Sequence, residues 1–134
     1  MIFALDTNIV TAILKYNQNA KKNFKKALED NNSFSIPSIV RYETERGLRY
    51  VNAYSKLKEF RELYENSIKS QMDEEVFTLA INLYVVLRKR GDLIDDADLF
   101  IASICLTNSF TLVTNNTNHF ERIEGLKIVD WLET

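Results

Sequence analysis

The fold is decided by the first eight residues, Met1-Ile2-Phe3-Ala4-Leu5-Asp6-Thr7-Asn8. Five apolar residues run without polar alternation into an acid, the pattern of a short strand buried on both faces in a parallel sheet covered by helices. Asp6 then falls at the carboxyl end of that strand. In an open α/β sheet, ligands bind in the crevice outside those ends. Asp6 is therefore a site candidate, although an acid here can also simply cap the next helix. Thr7 or Asn8 can cap it as well, because Ile9, Val10, Ile13 and Leu14 repeat at helical spacing.

Moving outward, strand and helix signals alternate. A helix over 17 to 31 has Ala20, Phe24, Ala27 and Leu28 on one face and Lys21, Lys22, Lys25 and Lys26 on the other, a solvated basic face. Ser33-Phe34-Ser35-Ile36 reads as a short strand ended by Pro37. Ser38 is the expected cap of a helix to about Tyr50. Glu43, Gly47 and Tyr50 share one face of that helix, and a glycine there predicts close packing against it. Arg41, Arg46 and Arg49 make it the most arginine-rich stretch; ion pairing to Glu45 or solvent exposure accounts for them, and RNA phosphate contact is the sharper reading. A helix over 53 to 66 completes a helical arm with apolar surface available for self-association.

Ile68 to Met72 is a weak strand candidate. Asp73 caps an amphipathic helix that Gly91 ends, with Arg88, Lys89 and Arg90 suited to its negative terminus. Four acids, Asp92, Asp95, Asp96 and Asp98, crowd the start of the next helix, more than capping requires, which suggests a cation. Phe110-Thr111-Leu112-Val113 is a buried strand, and Thr114-Asn115-Asn116 stand at its carboxyl end as Asp6 does at the first. Leu126-Lys127-Ile128-Val129 is the final strand, with Trp131 packing on the body. His119, the only histidine, reads as a surface or loop-packing residue.

The 134 residues are 46% hydrophobic with net charge −2, which fits one ordered domain over 1-134 and excludes binding nucleic acid by bulk charge alone. The single Cys105 lies among apolar residues, as expected of a packed thiol in a reducing cytoplasm. No stretch is long enough to span a membrane.

Alternating elements predict an α/β fold, a three-layer α/β/α arrangement around a mostly parallel sheet of four to five strands. Acids after the first strand, in the helix after the second, and at the helix before the fourth can then share one rim. Converging carboxylates repel unless a cation or protons intervene, and all-oxygen ligation selects hard ions, Mg²⁺ or Mn²⁺. Such an ion activates water against a phosphodiester.

Five stretches together carry a resemblance: Ala4-Leu5-Asp6-Thr7-Asn8, Ser38-Ile39-Val40-Arg41-Tyr42-Glu43, Gly91 through Ile94 and Asp98 to Ala102, Leu112-Val113-Thr114-Asn115-Asn116, and Phe120 to Leu126. In this order the chain resembles the PIN-domain ribonuclease toxins of the VapC type. The resemblance implies a PIN-like fold, a Mg²⁺- or Mn²⁺-dependent endoribonuclease and the toxin half of a type II toxin-antitoxin pair. It also implies homodimers, a VapB-type antitoxin, and an RNA substrate, with a structured tRNA loop favoured. By position, Asp6, Glu43 and Asp98 match the acidic triad, as catalytic residues and metal ligands. Asp96 and Asn116 are further metal-site candidates. Thr7, Asn8 and Thr114 match supporting positions, and Asp95 stands where the family usually has glycine. Two other readings are a PIN scaffold that has lost catalysis and serves as a binding partner, and a receiver-like phospho-signalling domain, which would need an acid pair after the first strand and a lysine after the last.

Overall fold

A computed structural model describes residues 1–133. Its centre is a four-stranded, wholly parallel sheet in the order β2-β1-β3-β4. The strands are β1 (Ile2–Leu5), β2 (Ser33–Ser35), β3 (Thr111–Val113) and β4 (Ile128–Val129). Helices α1 (Thr7–Leu14) and α2 (Gln18–Glu29) lie between β1 and β2. Helices α3 (Ser38–Tyr50), α4 (Tyr54–Glu65), α5 (Glu74–Arg90) and α6 (Asp96–Asn108) separate β2 from β3, and a single turn, α7 (Thr117–Phe120), precedes β4.

The apolar run in β1 ends on fully buried Ala4 and Leu5, and all three residues of β3 are buried. Ile9, Val10, Ile36, Val40, Ile101, Ile104, Leu112 and Phe120 close over them as the core. Trp131 is buried against Phe3 and Phe24, at ring separations of 5.4 and 6.1 Å. Because β1 and β3 are parallel and register Phe3 with Thr111 and Leu5 with Val113, the next residues, Asp6 and Thr114, emerge side by side at the same edge. The position of the site follows from that register.

Asp73 caps α5 through a 3.0 Å bond from the Val76 N–H, and Gly91 ends the helix at φ 76°, a left-handed geometry that favours glycine. Four local expectations are corrected. The cap of α1 is Asp6, since Thr7 and Asn8 are already inside the helix. The residue before α3 is Pro37, whose carbonyl accepts from Val40 and Arg41. Ser38 is thereby moved one place into the helix, where its buried hydroxyl has no partner. The stretch after Ile68 is not a strand: a single bridge links Ile68 to Ser35, because the following Lys69-Ser70-Gln71 offers no apolar alternation to carry the pairing on. Finally, a side chain built at Gly47 meets nothing within 4 Å, and Tyr50 is 88% exposed, so that face of α3 is open.

Candidate active site

One strand end and two helices bring three acids to one rim. Asp6 follows β1 directly and is only 5% exposed. Its Oδ1 accepts from the Thr7 N–H at 2.8 Å. Its Oδ2 accepts from the Thr114 hydroxyl at 2.7 Å and from the Asn8 side-chain amide at 3.3 Å. All three donors are neutral. Asn8 in turn accepts from the Asn115 N–H at 3.1 Å, and Thr114 accepts from the Asn116 N–H at 2.9 Å, so the ends of β1 and β3 are laced together.

Glu43 enters from the second turn of α3, and its Oε1 accepts from the Thr7 hydroxyl at 2.8 Å. Asp98 enters from the first turn of α6, where the helix N-terminus favours negative charge. Its Oδ2 lies 3.0 Å from Nδ1 of His119. The same nitrogen is 2.8 Å from the Asn116 carboxamide. One imidazole nitrogen cannot donate to the carboxylate and accept from an amide N–H at once. With Asp98 ionised, Nδ1 carries the proton and Asn116 turns its carbonyl oxygen toward it.

Burial holds the Asp6 carboxyl above its ordinary range; bonds from Thr114 and Thr7 pull it down, and the charges of Asp98 and Glu43 push it further up. Asp6 therefore senses both other acids. The three are nevertheless not a closed cage: among the described residues, no three histidine, cysteine or acidic side chains are grouped closely enough to hold a metal. Like charges keep apart without a cation, and Glu43 and Asp98 are each held by their own partner.

The donor set itself fits a hard ion. It consists of carboxylate oxygens around a buried acid with no cationic side chain paired to it or to Glu43 among the described residues. An ion that keeps several waters can span carboxylates too far apart to chelate directly.

The remaining candidates separate. Asn116 is at the rim, engaged with His119. Asp96 is turned away, lining a 230 Å³ apolar cleft with Phe77, Tyr84 and Phe100. Asp95 is exposed just before α6, makes no capping bond, and has φ −62°, so the backbone there has no need of glycine. Cys105 is buried, and burial pushes its thiol up to about 12, which leaves it an inert packing residue.

Arg41, Arg46 and Arg49 line a 430 Å³ cleft with Ser38, Tyr42, Glu45 and Tyr64. Arg41 pairs with Glu45 at 3.5 Å, whereas no acid pairs with Arg46 or Arg49 among the described residues. The Arg46 guanidinium stacks on the Tyr42 ring at 4.8 Å. The basic face of α2 is exposed, as expected, with Lys25 and Glu29 3.8 Å apart.

His119 is the residue that sequence reasoning missed. The only trace was its spacing from Asn116, three residues and about one helical turn; nothing in sequence brought it to Asp98, 21 residues away.

Acids at the carboxyl ends of a parallel sheet, carried by this order of elements, define a class: residues 3–126 match the PIN domain family, and the chain belongs to it. Within that family it belongs with the VapC ribonucleases. It is 39% identical over 108 residues to Ribonuclease VapC1 of Methanocaldococcus jannaschii, covering 79% of this chain and 77% of that one. It is 32% identical to Ribonuclease VapC2 of Rickettsia felis, covering 98% of both. In three dimensions it resembles a chain of the crystal structure of VapBC2 from Rickettsia felis bound to a DNA fragment from their promoter, with TM-score 0.86, 29% identity, and 98% and 99% of the two chains covered. A chain of VapBC-1 from nontypeable Haemophilus influenzae also gives TM-score 0.86, at 26% identity over 99% and 100% of the chains.

Proposed function

We propose that this chain is a divalent-metal-dependent endoribonuclease, the toxin of a toxin-antitoxin pair, acting in the cytoplasm as a single PIN-like domain. The observation that carries the chemistry is Asp6, held by neutral donors, its carboxyl raised chiefly by burial and further by the charges of Asp98 and Glu43. Asp6, Asp98 and Glu43 would hold the ion. When bound, Mg²⁺ or Mn²⁺ lowers the pKa of a water molecule and offsets phosphate charge.

The chain's own groups do the rest. Thr114 and Thr7 N–H fix both oxygens of Asp6, and Thr7 Oγ1 fixes one oxygen of Glu43, so these carboxylates face the rim before RNA arrives. His119 holds Asp98, and the Asn116 carboxamide holds the His119 ring. Arg46 and Arg49, free of acid partners among the described residues, supply phosphate contacts on α3, and Tyr42 offers a ring for a splayed base. This arrangement suits a single-stranded loop, and a structured tRNA loop is the substrate proposed.

The relatives' solved complexes are titled VapBC, which supports a VapB-type antitoxin as partner. A second copy of the chain would cover apolar side chains now exposed. Two surfaces offer them: Tyr50, Val51 and Tyr54 at the α3–α4 turn, and Ile81, Val85 and Val86 on α5.

The test is incubation of the purified chain with cellular RNA, with Mg²⁺ or Mn²⁺ and with EDTA, beside Asp98→Asn. Discrete fragments that require both the metal and Asp98 establish the nuclease. Cleavage by Asp98→Asn at the wild-type rate refutes the role of Asp98. Absence of any cleavage, with growth unaffected on expression, favours a binding scaffold.

A further inference from the structure

Within the stretch from Phe120 to Leu126, Phe120 and Ile123 are buried in the core, and packing accounts for them. Arg122, between them, is half-buried and pairs with no acid among the described residues. Its guanidinium instead reaches the loop that joins α5 to α6, where one nitrogen donates to the carbonyls of Asp92 at 3.2 Å and Leu93 at 3.3 Å. The tie is reciprocal: Arg90, the last residue of α5, donates to the Arg122 carbonyl at 2.7 Å, while its own Nε stays 3.4 Å from Asp92.

Those bonds fall where the local structure supplies none of its own. Asp95, before α6, makes no side-chain capping bond, and neither does Asn116 before α7. Each helix therefore starts without the side-chain brace that commonly fixes a helix N-terminus. Yet these two ends must meet, because Asp98 lies in the first turn of α6 and His119 in α7, with Oδ2 and Nδ1 3.0 Å apart. Arg122 follows His119 by three residues, and its N–H donates to the His119 carbonyl at 3.4 Å, so the two backbones move together. Ile94, 6% exposed, pins the middle of the loop, and Arg122 holds the two residues before it.

We propose that Arg122 is a positioning residue of the RNA-cleaving site: it ties the loop before α6 to α7 and thereby sets Asp98 against His119. This rests on the reading of Asp98 as an active-site acid. A guanidinium suits the task because it is always charged and rigid, so its bonds to neutral carbonyls are charge-assisted and fixed in direction. Misplacing a reacting group by about 1 Å costs up to about a hundredfold in rate. The loss falls on turnover rather than on binding, since Arg122 holds protein carbonyls.

The experiment measures kcat and KM on a synthetic RNA spanning a cleavage position mapped in cellular RNA, for the wild type, Arg122→Gln and Arg122→Lys, each with and without His119→Gln. The ring signals of His119, the only histidine in the chain, are followed by NMR at one pH in the proteins that retain it. The expected result is a kcat about tenfold lower in Arg122→Gln with KM within about twofold, partial recovery in Arg122→Lys, and displaced ring signals. In the His119→Gln background the same change should cost less than about twofold, because the contact it serves is already gone. An equal cost in both backgrounds would overturn the proposal, as would unmoved ring signals. A raised KM with kcat unchanged would also overturn it, making Arg122 an RNA contact. Should Arg122→Gln fail to fold, Arg122→Lys, which keeps the charge and loses the fork, decides by the same readings. A wild type that cleaves no RNA removes the nuclease reading, and the ring signals alone then decide the tie.

Discussion

The Thr114 hydroxyl donates to Asp6 Oδ2 at 2.7 Å, joining the carboxyl ends of two neighbouring parallel strands. Both residues are buried, and Thr114 also accepts from the Asn116 N–H, so one side chain serves the acid and the loop at once. Thr114→Val keeps the shape and removes both bonds. Leaving a buried partner unsatisfied costs about 1–3 kcal/mol, more for a charged group. The expected outcome is a destabilised chain with RNA cleavage reduced by tenfold or more, on the order of one lost charge-assisted bond, checked by urea unfolding and by initial rates.

Asp6 makes the stability of the metal-free chain depend on pH. Its carboxyl titrates near 3.8 when unfolded and higher when folded, with burial the chief cause. The folded state therefore binds the proton more tightly. Its contribution to stability is fully present below the unfolded value and is lost as pH rises through the raised folded one. Relative to Asp6→Asn, the wild type should lose stability on going from acid to neutral pH. Saturating Mg²⁺ or Mn²⁺ should restore it in the wild type alone, by about 2.7 kcal/mol at a hundredfold excess over Kd. Thermal melts with and without EDTA read both effects.

Arg46 and Arg49 present charges without acidic partners among the described residues along one face of α3. Replacing both with Gln should weaken RNA binding across sequences and lower the salt slope of the logarithm of affinity by about 1.4, at roughly 0.7 for each single-strand contact. The same replacement at Arg41, which already pairs with Glu45, should change the slope less. Filter binding over a range of salt concentrations decides it.

Gly47 is exposed within α3, with open space where a Cβ would stand. Gly47→Ala should stabilise the chain by about 0.5–1 kcal/mol, through helix propensity alone. A destabilised variant would show that something packs on this face in solution.

The strands and the amphipathic helices were legible because they rest on local signals, whereas the choice of Asp6, Glu43 and Asp98 as a triad came by position from the family resemblance. An unbroken apolar run, a helical repeat or an acid next to a capping position is written within a few residues. Ser38 and Ile68 show where local signals stop: the cap moved by one residue because Pro37 sets the chain direction, and the strand failed because one bridging residue had no apolar successor. Asp95 belongs with them, since whether glycine is needed depends on φ, which residue identity alone does not report.

By itself, then, the sequence determined the alternation of strands and helices and placed Asp6 at a strand end and Glu43 and Asp98 in the early turns of two helices, because periodicity and punctuation are short-range. Only the tertiary structure decided which side chains touch. The parallel register set Thr114 beside Asp6, and the return of the chain through α7 set His119 beside Asp98. It also sent Asp96 to an apolar cleft two residues from Asp98, since neighbours in a helical turn point in different directions. These outcomes depend on how distant segments pack, and packing is a property of the whole chain.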